Sequence, residues 1–332
     1  MPFQCSESAM SFEKPSVVIV GGGAMGGLFA GLLGEGGLDV TIVDVSAPQV
    51  EAINRQGLKI VGFGGDRAVP VKATTDAGSV KSADVVLFQC KAFANEAAAQ
   101  SVKHLFGGET VAVTFQNGLG SEETLGAVLG AEHVLGGLTA QAGLMIEPGV
   151  VRDYGKLPTY LGEWTGGLSG RTTAIAEAFT RHNLPTQASP DIRREKWKKL
   201  LGNVALGAIS AATDLTSAEI VAVPEMQSVV MRALDEAAAV ARADGVALGA
   251  DEAREVFKKI TTVTGGGTGG AKSSMCEDVR RKRQTEIDTI HGAVARLGRK
   301  HGVPTPTIDT MIAIVKGLES HYLKAGRQNG HQ

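Results

Sequence analysis

Lys199 and Asn203 stand four residues apart, so any helix that carries them presents both on one face. From Leu200 onward the chain is almost entirely apolar, and a polar pair entering a buried stretch needs a partner or costs free energy. A lysine held there can give a proton or a hydrogen bond to a substrate oxygen, with Asn203 helping to hold the substrate. The surrounding run RREKWKK, Arg193 to Lys199, reads otherwise as a solvated charged face.

A second pattern is Gly21-Gly22-Gly23-Ala24-Met25-Gly26, which fits GxGxxG at Gly21, Gly23 and Gly26. In a dinucleotide-binding turn the first glycine permits the tight turn, the second lets backbone approach the pyrophosphate, and the third lets helix pack on strand. Ala24 and Met25 open the helix, whose free N–H groups would point at the phosphates. Asp44 follows 18 residues after Gly26, at the end of the next strand. A carboxylate there accepts bonds from the ribose hydroxyls of NAD(H) and repels a 2′-phosphate, although Asp44 also suits the turn into Ser46.

Lys91 and Asn117 each come just after a strand-like run, VVLFQC and VAVTFQ, and so belong at the carboxyl edge of the sheet, where open α/β sheets bind ligands. Read alone, one is a solvated lysine and the other half of an Asn-Gly turn. Ser274 and Glu286 lie in the last third. Glu286 borders a helical seam of Ile287, Ile290, Val294 and Leu297, and by itself reads as a surface ion-pair partner. His291 reads as a helix-surface histidine. The 7 histidines form no HExxH and no metal-ligand spacing, so no metal is expected.

The elements that must position these residues follow from periodicity. Ser16 to Val20, Asp39 to Val43, Val85 to Gln89 and Val111 to Phe115 are β-branched runs, each followed by a helical stretch, which predicts a doubly wound, mostly parallel Rossmann sheet. Shorter alternating segments at 58–71 and 150–162 predict hairpins or edge strands added to that sheet. After Ser189-Pro190 the chain becomes rich in Ala, Leu, Glu, Lys and Arg, and helices are predicted at 191–210, 225–244, 251–263, 280–299 and 307–324. The fold class is therefore α/β followed by all-α. The expected division is an N-terminal extension at 1–14, a dinucleotide-binding domain at 15–188, a helical substrate domain at 189–326 and a tail at 327–332. GGGTGG at 265–270 reads as an interhelical loop, or one that closes over a ligand.

Composition narrows the class of partner. A chain of 332 residues is about twice the usual single-domain length. Its 33 Lys and Arg against 35 Asp and Glu provide no overall attraction for nucleic acid or an anionic membrane. Cys5, Cys90 and Cys276 make neither a disulfide framework nor a CxxC motif, and residues 1–14 lack an export signal, so a cytoplasmic protein without a membrane anchor is expected. Glycine, at 44 residues, is about twice as frequent as its usual ~7% share, which predicts many close backbone approaches.

Taken together, these residues resemble the ketopantoate reductase (2-dehydropantoate 2-reductase) family over about residues 16–324. The likeness is carried by the GGGAMG turn, Lys91 in CKAF, Asn117 in QNGLG, EKWKKLLGN from Glu195 to Asn203, Ser273-Ser274-Met275 and Thr285-Glu286-Ile287-Asp288. The resemblance implies an NADP(H)-dependent enzyme that reduces a small 2-oxo acid to the (R)-2-hydroxy acid, as in pantothenate biosynthesis. It implies that Lys199 is the general acid, that Glu286 orients it or the substrate, that Asn117, Asn203 and Ser274 line the site, and that Lys91 faces the cofactor. Three positions depart from the family pattern. Gly207 and Ala271 stand where many members have asparagines that touch pantoate, which suggests a larger or less hydroxylated acid, and Asp44 leans towards NAD(H). A β-hydroxyacid dehydrogenase would share the lysine–asparagine pair but gives no reason for the Ser-Ser-Met and Thr-Glu-Ile-Asp segments. A non-catalytic NAD(P)-binding sensor would need no proton donor. Long amphipathic C-terminal helices make a homodimer an expectation.

Overall fold

β1 (Val17–Val20) is four β-branched residues in a row, all buried, as an inner strand covered on both faces must be. The computed structural model describes residues 12–263 and 269–328. Most of the expected N-terminal extension and of the GGGTGG stretch, and the end of the tail, lie outside the described residues.

β1 is followed by α1 (Ala24–Glu35), β2 (Val40–Val43), α2 (Ala47–Gln56), β3 (Leu58–Gly62), β4 (Arg67–Val69), β5 (Lys72–Thr74), β6 (Val85–Phe88) and α3 (Asn95–Val102). Then come β7 (Val111–Thr114), α4 (Ser121–Leu129), β8 (Val134–Thr139), β9 (Gly143–Glu147), β10 (Val150–Asp153), β11 (Thr159–Glu163), α5 (Gly170–Arg181) and β12 (Thr186–Ala188). An eight-stranded sheet runs β12-β11-β8-β7-β6-β1-β2-β5. All its pairings are parallel except β8 with β11. β1 lies between β2 and β6, so the chain leaves β1 towards one edge and later returns to its other side, and the end of β1 is a topological switch point.

The period of two along each strand decides which layer a residue joins. Val17 and Ile19 enter the core shared with Phe29, Leu33 and Phe179, while Val18 and Val20 enter the opposite core with Val86, Phe88, Ala99 and Leu125. Phe29 meets Phe115 edge to face at 5.3 Å between ring centres.

The segments at 58–71 and 150–162 differ from expectation. β3, β4 and β10 do not extend the main sheet; with β9 they form a second, four-stranded sheet in the order β4-β3-β10-β9. β11 is an interior strand of the main sheet. The physical reason is the glycine-lined face of α1. A Cβ at Gly27 would come within 2.9 Å of Val151, and one at Gly31 within 2.5 Å of Ile60. Bare backbone thus lets the small sheet pack directly on α1, and this accounts for part of the glycine excess.

Residues up to Gln116, with Ser121–Ile192, form one compact unit, and Asn117–Gly120 joins Arg193 onward in the other. The second unit is helical: α6 (Ile192–Thr213), α7 (Ser217–Val221), α8 (Pro224–Ala243), α9 (Ala250–Thr261), α10 (Ser274–Arg280), α11 (Ile287–His301) and α12 (Pro306–Gln328). α8, α11 and α12 pack on one another. Both carboxylate oxygens of Glu236 accept N–H bonds from Thr307 and Ile308 at 3.0 Å, capping the start of α12. No described helix is long and apolar enough to cross a membrane.

Candidate active site

In the sheet unit, the chain turns out of β1 through Gly21 at φ +98, a conformation that favours glycine. A Cβ on Gly26 would lie 1.8 Å from the Gly21 carbonyl oxygen, so helix and turn can close only without one. Around Gly23 the space is open, with nothing within 4 Å of a Cβ there. Gly23 is also the N-cap of α1 and offers no side-chain acceptor, which leaves the first-turn N–H groups, those of Ala24 and Met25 among them, for an outside anion. Tight where the fold needs contact and open where a pyrophosphate would approach, this turn fits a dinucleotide.

Asp44 belongs to the same turn. Its Oδ2 accepts the Gly22 N–H at 2.5 Å and its Oδ1 the Ser46 N–H at 2.8 Å. The carboxylate therefore holds the glycine turn while staying partly exposed. Gln49 fixes the turn from below, donating to the Gly22 carbonyl at 2.7 Å and accepting from the Gly149 N–H at 2.8 Å. Lys91 follows β6, and a Cβ on Gly21 would fall 2.4 Å from the nitrogen of the adjoining Cys90, so the Lys91 loop runs alongside the glycine turn. Gln89 was not singled out by sequence reasoning. Its Nε2 is buried and has no hydrogen-bond partner among the described residues, and its Cβ stands 3.1 Å from the same Gly26 position. A buried donor left over beside an anion-ready turn is a further sign of a ligand.

In the helical unit, α6 carries Lys199, Asn203 and Gly207 at successive four-residue intervals. Lys199 keeps a partial opening to solvent but is densely surrounded. Burial, and then the charge of Lys196, push its ammonium down from 10.5 to about 8, while the Glu286 carboxylate acts in the opposite direction. Lys196 is itself buried. Glu286 is the N-cap residue of α11, and the turn carrying it is anchored from α12. The buried Glu319 carboxylate accepts both the N–H and the hydroxyl of Thr285 at 2.7 Å.

The segment Asn117–Gly120 packs on the first turn of α11. Leu119 donates its N–H to the Thr289 carbonyl at 3.1 Å, and a Cβ on Gly118 would fall 2.2 Å from that oxygen. Asn117 is thereby placed near the Glu286 end of α11. Ser274 is the first residue of α10 and is exposed. Its neighbour Ser273 ties the segment to α6, donating its hydroxyl to the Gly207 carbonyl at 3.1 Å and its N–H to the Ser210 hydroxyl at 3.1 Å.

Of the residues singled out in the sequence, Asn117, Lys199, Asn203, Ser274 and Glu286 thus belong to the helical unit. Gly21, Gly23, Ala24, Met25, Gly26, Asp44 and Lys91 belong to the sheet unit. His291 requires a correction: it is 0% exposed, not a helix-surface residue. It stands one turn after Ile287 and one before Ala295, both buried, so the seam that predicted the core side of α11 includes it. Ser273 and Glu319 were given no role because each acts through a contact distant in sequence, whereas Lys196, three residues from Lys199, and Gln89 lay inside runs that read as a charged helix face and a strand. Among the described residues, no group of three His, Cys, Asp or Glu is arranged to hold a metal ion.

A glycine turn at the switch point of a parallel sheet, joined in one chain to a helical unit with a half-buried lysine and an acidic partner, defines a Rossmann-type, dinucleotide-dependent oxidoreductase. Comparison with known proteins gives the particular family. The family described as "Ketopantoate reductase PanE/ApbA" matches residues 17–166, and "Ketopantoate reductase PanE/ApbA C terminal" matches residues 191–319. The 2-dehydropantoate 2-reductase of Halobacterium salinarum is 31% identical over 304 residues, covering 90% of this chain and 97% of that one. The enzyme of the same name from Mesorhizobium japonicum is 33% identical over 323 residues, covering 91% and 97%. A crystal structure of a PanE/ApbA family ketopantoate reductase from Ralstonia eutropha superposes with a TM-score of 0.84 at 29% identity, covering 92% of this chain and 99% of that one. The chain belongs to the ketopantoate reductase family, and is an NAD(P)H-dependent oxidoreductase acting on the CH–OH/C=O couple of a small 2-oxo acid.

Proposed function

We propose that Lys199 is the proton donor in the reduction of a 2-oxo acid, ketopantoate or a close relative, to the (R)-2-hydroxy acid. The observation that carries this reading is the half-buried Lys199 ammonium, lowered to about 8 by its dense surroundings and by Lys196, with the Glu286 carboxylate acting to keep the proton on it. Near neutral pH such a group is protonated and still gives up its proton readily, which is what a general acid requires.

When bound, the dihydronicotinamide supplies hydride to the carbonyl carbon. Negative charge then builds on the carbonyl oxygen, where the Lys199 ammonium stabilises it and transfers a proton. Lys199 is left as the neutral amine, the form that its burial favours. Glu286 keeps the lysine protonated between turnovers. The Asn203 and Asn117 amides and the Ser274 hydroxyl are donors suited to the substrate carboxylate.

The N–H groups of Ala24 and Met25 bind the pyrophosphate, with Lys91 close by. Asp44 accepts the ribose hydroxyls, and its charge disfavours a 2′-phosphate, so NADH is the better cofactor. The departures at Gly207 and Ala271 leave room for 2-oxo acids other than ketopantoate. Free Cys90 and Cys276 are in keeping with a reducing, cytosolic setting.

The test is oxidation of NADH and of NADPH, followed at the nicotinamide absorbance, with ketopantoate beside bulkier acids such as phenylglyoxylate. Turnover of at least one acid, faster with NADH, is expected. Silence with every acid and both cofactors would overturn the reading in favour of a cofactor-binding sensor.

A further inference from the structure

In the sheet unit, a cleft of about 230 Å³ lies at the end of α1 away from the glycine turn. Leu32, which lines it, stands eight residues beyond Ala24, about 12 Å of helix rise from that turn. The volume falls below the roughly 300–1,000 Å³ of clefts that take larger ligands, so the occupant must be small.

The charges that line the cleft are not all matched. Arg67 is satisfied within the fold: it pairs with Glu35 at 2.8 Å and donates to the Phe63 and Gly65 carbonyls at 3.0 and 2.9 Å. Asp153 and Lys156 also line the cleft, yet they pair neither with each other nor with any other described residue. Asp153 ends β10 and is only 4% exposed. Among the described residues its carboxylate accepts one hydrogen bond, from the Gly155 N–H to Oδ1 at 2.9 Å. A buried carboxylate without a cation costs free energy. Gln141, 6% exposed, lines the same cleft. Its amide nitrogen donates to the Leu157 carbonyl at 2.5 Å and so ties down the loop that carries Lys156, but its buried Oε1 has no partner among the described residues. Two buried groups here thus have acceptor capacity left over. Lys156 adds an exposed positive charge, and Leu32 and the half-exposed Phe63 add apolar surface.

We propose that this cleft is a second ligand site, separate from the glycine turn, for a free α-amino acid with an apolar side chain. The ammonium is held by Asp153 with Gln141 Oε1, the carboxylate by Lys156, and the side chain lies against Leu32 and Phe63. A simple amine would leave Lys156 unmatched and a simple carboxylate would leave Asp153 unmatched; a zwitterion answers both at once.

The test is isothermal titration calorimetry of the whole chain with L-leucine, with N-acetyl-L-leucine, whose ammonium is blocked, and with L-leucinamide, whose carboxylate is blocked. L-leucine should bind at least about tenfold more tightly than either derivative, since each derivative forfeits one charge-assisted contact. Lys156→Ala, at an exposed position, should weaken L-leucine by about tenfold and leave L-leucinamide unchanged. Asp153→Asn, which keeps an oxygen for the Gly155 N–H, should weaken both. Lys199→Ala and saturating oxidised cofactor should leave the affinity for L-leucine unchanged, because the cleft is not where the reaction takes place. Absence of saturable binding by L-leucine would overturn the proposal, as would equal affinity for all three compounds. Binding that survives Lys156→Ala and is lost in Lys199→Ala would also overturn it, by putting the amino acid in the substrate site. None of these readouts requires turnover, so the outcome is distinguishable from failure of the reduction itself.

Discussion

Glu286 acts on Lys199 against two larger influences, burial and the neighbouring charge of Lys196, and the balance holds the lysine at about 8 rather than 10.5. A proton donor set this close to neutrality makes the chemistry sensitive to pH. Reduction should proceed at a level rate below about pH 8 and decline above it as the ammonium is lost. In Glu286→Gln the supporting charge is gone, so the decline should begin at lower pH. A profile of kcat/KM against pH for both proteins checks this, and coincident profiles would contradict it.

The same depressed value has a consequence for stability, and its sign can be worked out. Unfolded, Lys199 titrates near 10.5; folded, at about 8. Between those values the unfolded chain holds more protons, so stability rises with pH across this window, while below about 8 both states are protonated and the penalty of the buried ammonium is fully present. Urea denaturation at pH 7.5 and at pH 9.5 should show the wild type gaining relative to Lys199→Met, which has no proton to lose.

Asp44 places a carboxylate on the glycine turn through its bond to the Gly22 N–H. Asp44→Asn keeps one oxygen for that N–H and removes the charge, together with the acceptor for the exposed Ser46 N–H. The ratio of kcat/KM for NADH to that for NADPH should fall by about tenfold, corresponding to ~1.4 kcal/mol of removed repulsion. An unchanged ratio would mean that the carboxylate serves the turn alone.

Glu319 does not belong to the set that handles substrate, yet both of its bonds to Thr285 fix the turn that carries Glu286. Glu319→Ala should lower kcat by about tenfold while leaving the cofactor KM unchanged, the magnitude expected when a positioned group loses its geometry. Glu319→Gln retains an acceptor oxygen and should restore most of the rate. A merely structural role would give equal loss in both variants.

The order of the elements was legible because it follows local rules. A β-branched run such as VVIV announces a buried strand, and the glycines after it announce the turn. The placement of β3, β4 and β10 in a separate sheet was not legible. That outcome depends on α1 having a bare glycine face towards Val151 and Ile60, a long-range fit that alternation does not reveal. In the helical unit, spacing was enough to pair Lys199 with Asn203. It was not enough to show that Glu286 would act on that lysine, because the two come together only through the packing of α11 and α6, and the likeness to a known family supplied the link. His291 was misjudged for a related reason: polarity suggested surface, while its position on the apolar seam, the stronger signal, placed it inside.

The most direct test of the chemistry is the rate of NADH oxidation with a saturating 2-oxo acid in wild type and in Lys199→Ala. If Lys199 donates the proton, kcat should fall by at least ~100-fold, the low end of a general-acid contribution, while cofactor affinity stays within a factor of about two. A variant that turns over at the wild-type rate would contradict the assignment of Lys199.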